Sequence, residues 1–186
     1  SITREGNDEQ NIYDVGGNAV IKINNSISFA LTDCQETVGT ITHKAGVSGE
    51  GVYNAGKFTM YNGKLSGNNG GVTNQRTFEM YGGTICQNTA EYGGGVYNKD
   101  TGTFNMYSGT ITDNTASTGY YDGGGGVCNE GMFSMSGGHI FQNKSTNHGG
   151  GVNNGSGTFE MSGGEISKNT TTNRGGGVFN KGGTFI

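Results

Sequence analysis

Proline is absent from all 186 residues, and so is tryptophan. Charge is scarce as well: 14% of residues carry one, with 11 Lys+Arg against 15 Asp+Glu. Each shortage excludes a class. Without proline the 39 glycines cannot be collagenous, because a collagen triple helix needs Pro beside its periodic Gly. Without a basic run or stripe there is nothing to meet nucleic-acid phosphates. The apolar runs reach only about four or five residues, too short to span a bilayer. The three cysteines, Cys34, Cys86 and Cys128, form no Cys-x-x-Cys pair, which disfavours both a disulfide framework and a zinc site. They are expected to be buried or half-buried free thiols. No stretch shows a 3.6-residue apolar period, and glycine weakens helix interiors, so a helical protein is excluded. Low charge and nine Phe with nine Tyr also argue against disorder.

What is present is a repeat. The word Gly-Val-x-Asn, then Phe-x-Met, then Gly-x-Ile, then x-x-Asn, begins at Gly51 and returns at Gly71, Gly95, Gly126, Gly151 and Gly177, with starts 20, 24, 31, 25 and 26 residues apart. Its apolar positions form columns. They are Val52, Val72, Val96, Val127, Val152 and Val178; Phe58, Phe78, Phe104, Phe133, Phe159 and Phe185; Met60, Met80, Met106, Met135 and Met161; and Leu65, Ile85, Ile111, Ile140 and Ile166. Phe and Met stand two apart, the strand period. Each unit reads as three very short strands separated by Gly/Asn turns. Such strands are stable only when the same strand of the next unit stacks on them, about 4.8 Å away. The expected fold is therefore all-β: a right-handed parallel β-helix of about six to seven coils, with three short strands per coil.

The corners carry two further columns: Asn54, Asn74, Asn98, Asn129, Asn154 and Asn180, and Asn68, Asn88, Asn114, Asn143 and Asn169. Stacked asparagines can hydrogen-bond along the axis as ladders, and Asn tolerates the left-handed conformation that sharp turns require. The glycine runs before each Val supply positive-φ freedom. Proline is missing because nearly every coil must donate N–H groups to a neighbour.

Residues 1–16 are polar and are expected to cap the first coil. Residues 17–186 are expected to form the β-helix, with a degenerate coil over 17–50 and regular coils over 51–186. Within 17–50, Val38-Gly39-Thr40-Ile41-Thr42 aligns with the Gly-x-Ile strand, and Ala19 to Ile23 and Ile27 to Leu31 look like the two preceding strands, with an insertion around Thr32 to Thr37. The chain stops at Phe185-Ile186 partway through a coil, which suggests a fragment or an end that docks on another chain.

Gly94-Gly95-Val96-Tyr97 and Ile85-Cys86-Gln87-Asn88, joined through Thr89-Ala90, resemble the repeats of bacterial adhesin-like surface proteins, the polymorphic outer-membrane proteins in particular. The sequence is equally similar to the Phe-x-Met-x-Gly-Gly-x-Ile repeats of surface proteins of gut-type Gram-positive bacteria. The resemblance covers about residues 38–186. It implies a right-handed β-helix passenger, surface display and adhesion, with export signal and anchor outside these residues. The hydrophobic word is more often Ile-x-x-Asn here than the family's Phe-x-x-Asn.

Chemistry on such a fold needs side chains clustered on one outer face. The outward positions between Phe and Met are Thr59, Glu79, Asn105, Ser134 and Glu160; Glu79 and Glu160 stand three coils apart, too far to act as a pair. His139 and Glu165 fall on adjacent coils and read as a surface ion pair. Arg4, Arg76 and Arg174 share no column. A near P-loop at Gly51 to Phe58 fails because the residue after Lys57 is Phe58, where Ser or Thr is required. No catalytic residue, metal or cofactor is therefore assigned. The binding candidates are the outward tyrosines Tyr61, Tyr81 and Tyr107, with Tyr53 and Tyr97 also outward, and Tyr120, Tyr121 and Asp122 in the insertion of the longest coil. The expected function is a non-enzymatic extracellular module, an adhesin or rigid stalk, that binds carbohydrate or a host surface protein. Nucleic-acid binding and direct membrane insertion are not expected. Two alternatives are a fragment of a polysaccharide lyase or hydrolase, and a head-to-tail filament subunit that associates through its ends.

Overall fold

The computed structural model describes residues 2–5, 19–32, 40–43, 48–117 and 123–186. The described residues contain strands and turns and no helix. The strands stack as a parallel β-solenoid of about five turns. Six to seven were expected from the repeat; the difference lies at the ends, where the Ala19–Ile41 turn is irregular and the strands after Ser167 do not complete another.

Three stacks correspond to the three expected strands. The Val stack runs from Ala19–Ile23 and Glu50–Asn54 through Val72–Asn74, Val96–Asn98, Val127–Asn129 and Val152–Asn154 to Val178–Asn180. The Phe–Met stack includes Ser28–Leu31, Lys57–Met60, Thr77–Met80, Thr103–Met106, Met132–Met135, Thr158–Met161 and Thr184–Phe185. The Ile stack includes Thr40–Ile41, Lys64–Ser66, Thr84–Cys86, Thr110–Thr112, His139–Phe141 and Glu165–Ser167. Register is like on like throughout: Val96 faces Val72 and Val127, Phe104 faces Phe78 and Phe133, and Ile111 faces Ile85 and Ile140. At the N-terminal side Ile2–Glu5 pairs antiparallel with Ser28–Leu31. The rest of the 1–16 segment lies outside the described residues.

A fourth, shorter stack replaces what the sequence shows only as a link. Thr89–Ala90, Thr115–Ala116, Lys144–Ser145 and Thr170–Thr171 pair in parallel, with Ala116 and Ser145 fully buried beneath it. The coil that begins at Gly51 has no equivalent strand, and that is why it is the shortest.

The core follows the axis, and each regular coil adds a Val, a Phe, a Met and a Leu or Ile to it. Phe58, Phe78, Phe104, Phe133 and Phe159 are fully buried, and their rings stack with centroids 4.6–4.9 Å apart. Phe29 and Phe185 extend the column at its two ends. Burying each ring contributes about 2–3 kcal/mol by its apolar area.

Both asparagine columns form ladders, in different ways. In the first, Asn54 Nδ2 donates to Asn74 Oδ1 at 2.7 Å, and the same bond recurs at 2.8 Å from Asn74 to Asn98, Asn98 to Asn129, Asn129 to Asn154 and Asn154 to Asn180. The amide also donates to a carbonyl of the coil it faces, as Asn98 does to Met132 O. In the second, Asn114 Oδ1 accepts from both the backbone N–H and the side-chain amide of Asn88, while Asn114 Nδ2 donates to Asn143 Oδ1 and back to Ile85 O. Each rung thus ties three coils. All but Asn169 and Asn180, at the C-terminal end, are buried, which turns a desolvation cost into a constraint on register.

The left-handed corners are not at asparagine, contrary to expectation. The residue before each second-column Asn carries the positive φ: Gly67 (72°), Gln87 (56°), Asp113 (55°), Gln142 (56°) and Lys168 (53°). That turn swings the Asn side chain inward, where the ladder holds it. In each later glycine run one residue has positive φ: Gly93 (54°), Gly124 (78°), Gly149 (59°) and Gly175 (68°). The others are required by close approach: a Cβ on Gly126 would meet Gly151 O at 2.7 Å and Ile140 Cγ2 at 2.8 Å.

Candidate functional site

The outer surface carries two features with binding character. The first is the row that begins one residue after each Met. Tyr61, Tyr81 and Tyr107 stack with ring centroids 5.2 and 4.6 Å apart and interplanar angles of 15° and 16°. They are 52%, 42% and 43% exposed, the largest exposed aromatic surface among the described residues apart from Phe185. The coil repeat dictates the stack, because each Tyr N–H is bonded to the coil before it, Tyr81 to Met60 O and Tyr107 to Met80 O. Tyr81 lies between two rings, so its edge and hydroxyl face solvent rather than its faces. Its hydroxyl pKa is raised above the ordinary 10.0, by burial against its neighbours first and then by the negative charge of Glu79. The row continues as Ser136 and Ser162 in the next coils, where it loses its aromatic character.

Beside this row, Lys57 and Glu79 form an ion pair at 3.0 Å, and the bond to Glu79 raises the Lys57 pKa. Thr59 was expected outward, yet it is 6% exposed. Its side chain lies with Ser28, Phe29, Lys57 and Tyr61 around a small hollow of about 140 Å³. His139 and Glu165 meet at 3.6 Å as an exposed pair, as the register predicts. Cys86 and Cys128 are both buried. Tyr120, Tyr121, Asp122 and Cys34 lie outside the described residues.

The second feature is a cleft of about 340 Å³ on the outer side of the Val stack, which the sequence reading missed. Its cause is a change of coil length. The coil from Gly51 to Gly71 is 20 residues and turns directly from Asn68 through Gly70; the coil from Gly71 to Gly95 is 24 and adds the Thr89–Ala90 strand. The extra residues carry Glu91 and Tyr92 out as a wall. Glu50 forms part of the opposite side, and the position that stacks on it in the next coil is Gly70, which has no side chain to fill the space. Thr73 and Tyr97 line the floor. The Tyr92 and Tyr97 rings lie 5.8 Å apart at 34°, tilted rather than stacked, and Lys99 Nζ sits 5.5 Å from the Tyr97 centroid. Glu50 accepts from Thr73 Oγ1 at 3.4 Å, and Tyr97 donates its hydroxyl proton to Glu130 at 2.9 Å. The signal in the sequence was the step from 20 to 24 in the repeat spacing. Tyr97 was legible as outward; Glu50 and Glu91 were not, because neither belongs to a column of like residues.

Among the described residues no group of three or more His, Cys, Asp and Glu side chains gathers as a metal site would require. No protein-family model matches the chain, and no curated protein or solved structure does either. The parallel solenoid and its asparagine ladders therefore stand on their own geometry.

Proposed function

We propose that the chain is a non-enzymatic module displayed outside a bacterial cell, a rigid stalk or adhesin that binds carbohydrate through its outer face. The observation that carries this reading is the exposed stack of Tyr61, Tyr81 and Tyr107 on successive coils. A buried core and two continuous ladders make the axis stiff, so the row is held in fixed spacing with little entropy left to lose on binding. Phenol edges and hydroxyls about one coil apart suit an extended ligand that presents hydroxyl groups at regular intervals. Adhesin character and surface display rest on the repeat words shared with bacterial surface proteins. The non-enzymatic part is favoured by the state of the candidate acids: Glu79 is tied to Lys57 and Glu165 to His139.

A glycan array with the intact chain and with Tyr81→Ala tests the proposal. The intact chain should retain at least one glycan class, and Tyr81→Ala should weaken that signal about tenfold or more, with an unchanged thermal transition. Equal retention by both proteins would remove the tyrosine row from the reading. Release of reducing sugar from any retained polysaccharide would overturn the non-enzymatic assignment.

A further inference from the structure

The geometry points to a second, separate site: the cleft between Glu50 and the Glu91–Tyr92 wall binds a neutral saccharide of one or two rings. Three properties of the cleft select that class. Its volume, about 340 Å³, lies at the small end of the range of small-molecule sites, about 300–1,000 Å³. Its lining includes the Tyr92–Tyr97 pair, aromatic surface against which an apolar sugar face can lie. Around the pair stand hydrogen-bonding groups of both kinds. Glu50 and Glu91 accept from hydroxyls, Lys99 donates, and Thr73 Oγ1, whose proton is directed at Glu50, can accept. An apolar ligand would displace water from these groups without replacing its hydrogen bonds and lose affinity accordingly.

Charge narrows the class further. The cleft brings two carboxylates against one ammonium, and Glu130 adds a third carboxylate behind the Tyr97 hydroxyl. A uronate or sialylated sugar would meet net negative charge at close range. A neutral sugar meets none of that repulsion and uses the carboxylates as strong acceptors, since hydrogen bonds to ionised groups are the stronger kind. The backbone is built for the purpose in one respect: the cleft crosses three successive coils, from Glu50 through Thr73 to Tyr97, so its walls are fixed by the same parallel pairing that holds the core.

The insertion of the longest coil is rooted beside this wall. It leaves at Ser117, whose N–H donates to Ala90 O at 2.9 Å, and returns at Gly123, whose carbonyl accepts from Gly93 N–H at 3.1 Å. Ala90 and Gly93 bracket Glu91 and Tyr92.

Isothermal titration of the intact chain with cellobiose, maltose, lactose and chitobiose, and with digalacturonate as the acidic counterpart, tests the inference. At least one neutral disaccharide should bind, and digalacturonate should bind at least about tenfold more weakly. Tyr92→Ala should raise the Kd about tenfold or more, whereas Tyr92→Phe, which keeps the ring face, should stay within about threefold. The paired change Glu50→Gln with Glu91→Gln should weaken the neutral sugar without making the acidic one the better ligand. Lys181→Ala, on the last coil, should leave this binding unchanged; the Tyr92 variants report on the cleft and Tyr81→Ala on the tyrosine row, so failure of the two readings is told apart. Absence of heat with all four neutral disaccharides, equal binding of digalacturonate, or an unaltered Kd in Tyr92→Ala would overturn it.

Discussion

A single asparagine in the first ladder shows how this fold makes a polar residue part of its core. Asn98 is fully buried, accepts from Asn74 Nδ2, and donates to Asn129 Oδ1, Gly102 O and Met132 O. Replacing it with Ala removes four partners at once and leaves their groups buried without water. Each such group costs about 1–3 kcal/mol, so Asn98→Ala should lose roughly 3 kcal/mol or more of unfolding free energy in urea. Asn180, at the exposed end of the same ladder, accepts from Asn154 and donates to Gly183 O. Its change to Ala should cost less than about 1 kcal/mol, because water reaches the groups left behind. Equal losses at the two positions would show that burial is not what gives the ladder its energy. The ladder itself was legible in the sequence, because identical residues at matching register can do little else in a stacked fold. Its direction was not: whether an amide bonds forward only, as in the first column, or both forward and back, as in the second, depends on where the side chain enters the coil. That entry is set by the φ of the residue before it.

The corner that precedes the second ladder is where local and stacked demands conflict. Gln87, Asp113, Gln142 and Lys168 adopt a left-handed conformation that costs an L-residue about 1–2 kcal/mol, while the first coil places Gly67 at the same point. The sequence offered no reason to suspect a polar, variable position of strain. The strain persists because the Asn that follows is bonded on both sides and will not release the turn. Gln142 is exposed and its side chain has no role in the ladder, so Gln142→Gly keeps every contact of Asn143 and removes the strain. The change should raise stability by roughly 1 kcal/mol, less the added freedom of glycine in the unfolded chain. A measured loss would mean that the unfolded-state term outweighs the strain. The same element scale explains why the cleft escaped notice. Columns reveal what repeats, and the Glu91–Tyr92 wall exists because one coil departs from the length of the coil before it. A ligand site on a solenoid is most readable as a break in its period.

At the scale of the whole molecule the coils are interchangeable wherever their registers agree, as expected for a fold in which each unit touches only its neighbours. Deleting 127–151 joins Gly126 to Val152 and brings the coil of Val96 directly onto the coil of Val152. Every stack survives the excision: Asn98 meets Asn154, Phe104 meets Phe159, Ile111 meets Ile166 and Thr115 meets Thr170, each pair already related through the coil removed. Both ladders close, since Asn114 gains Asn169 as its acceptor in place of Asn143. The shortened chain should therefore fold with a β-sheet circular dichroism spectrum and a cooperative thermal transition. Its Tm should fall, because one interface of stacked Val, Phe, Met and Ile has been lost from the sum. The tyrosine row and the carboxylate cleft lie N-terminal to the cut, so glycan retention should persist, although Tyr97 loses its bond to Glu130 and stacks on Asn153 in place of Cys128. A chain without a cooperative transition would show that the long coil around residues 95–126 depends on its particular neighbour. Periodicity would then describe the core of this solenoid without describing its assembly.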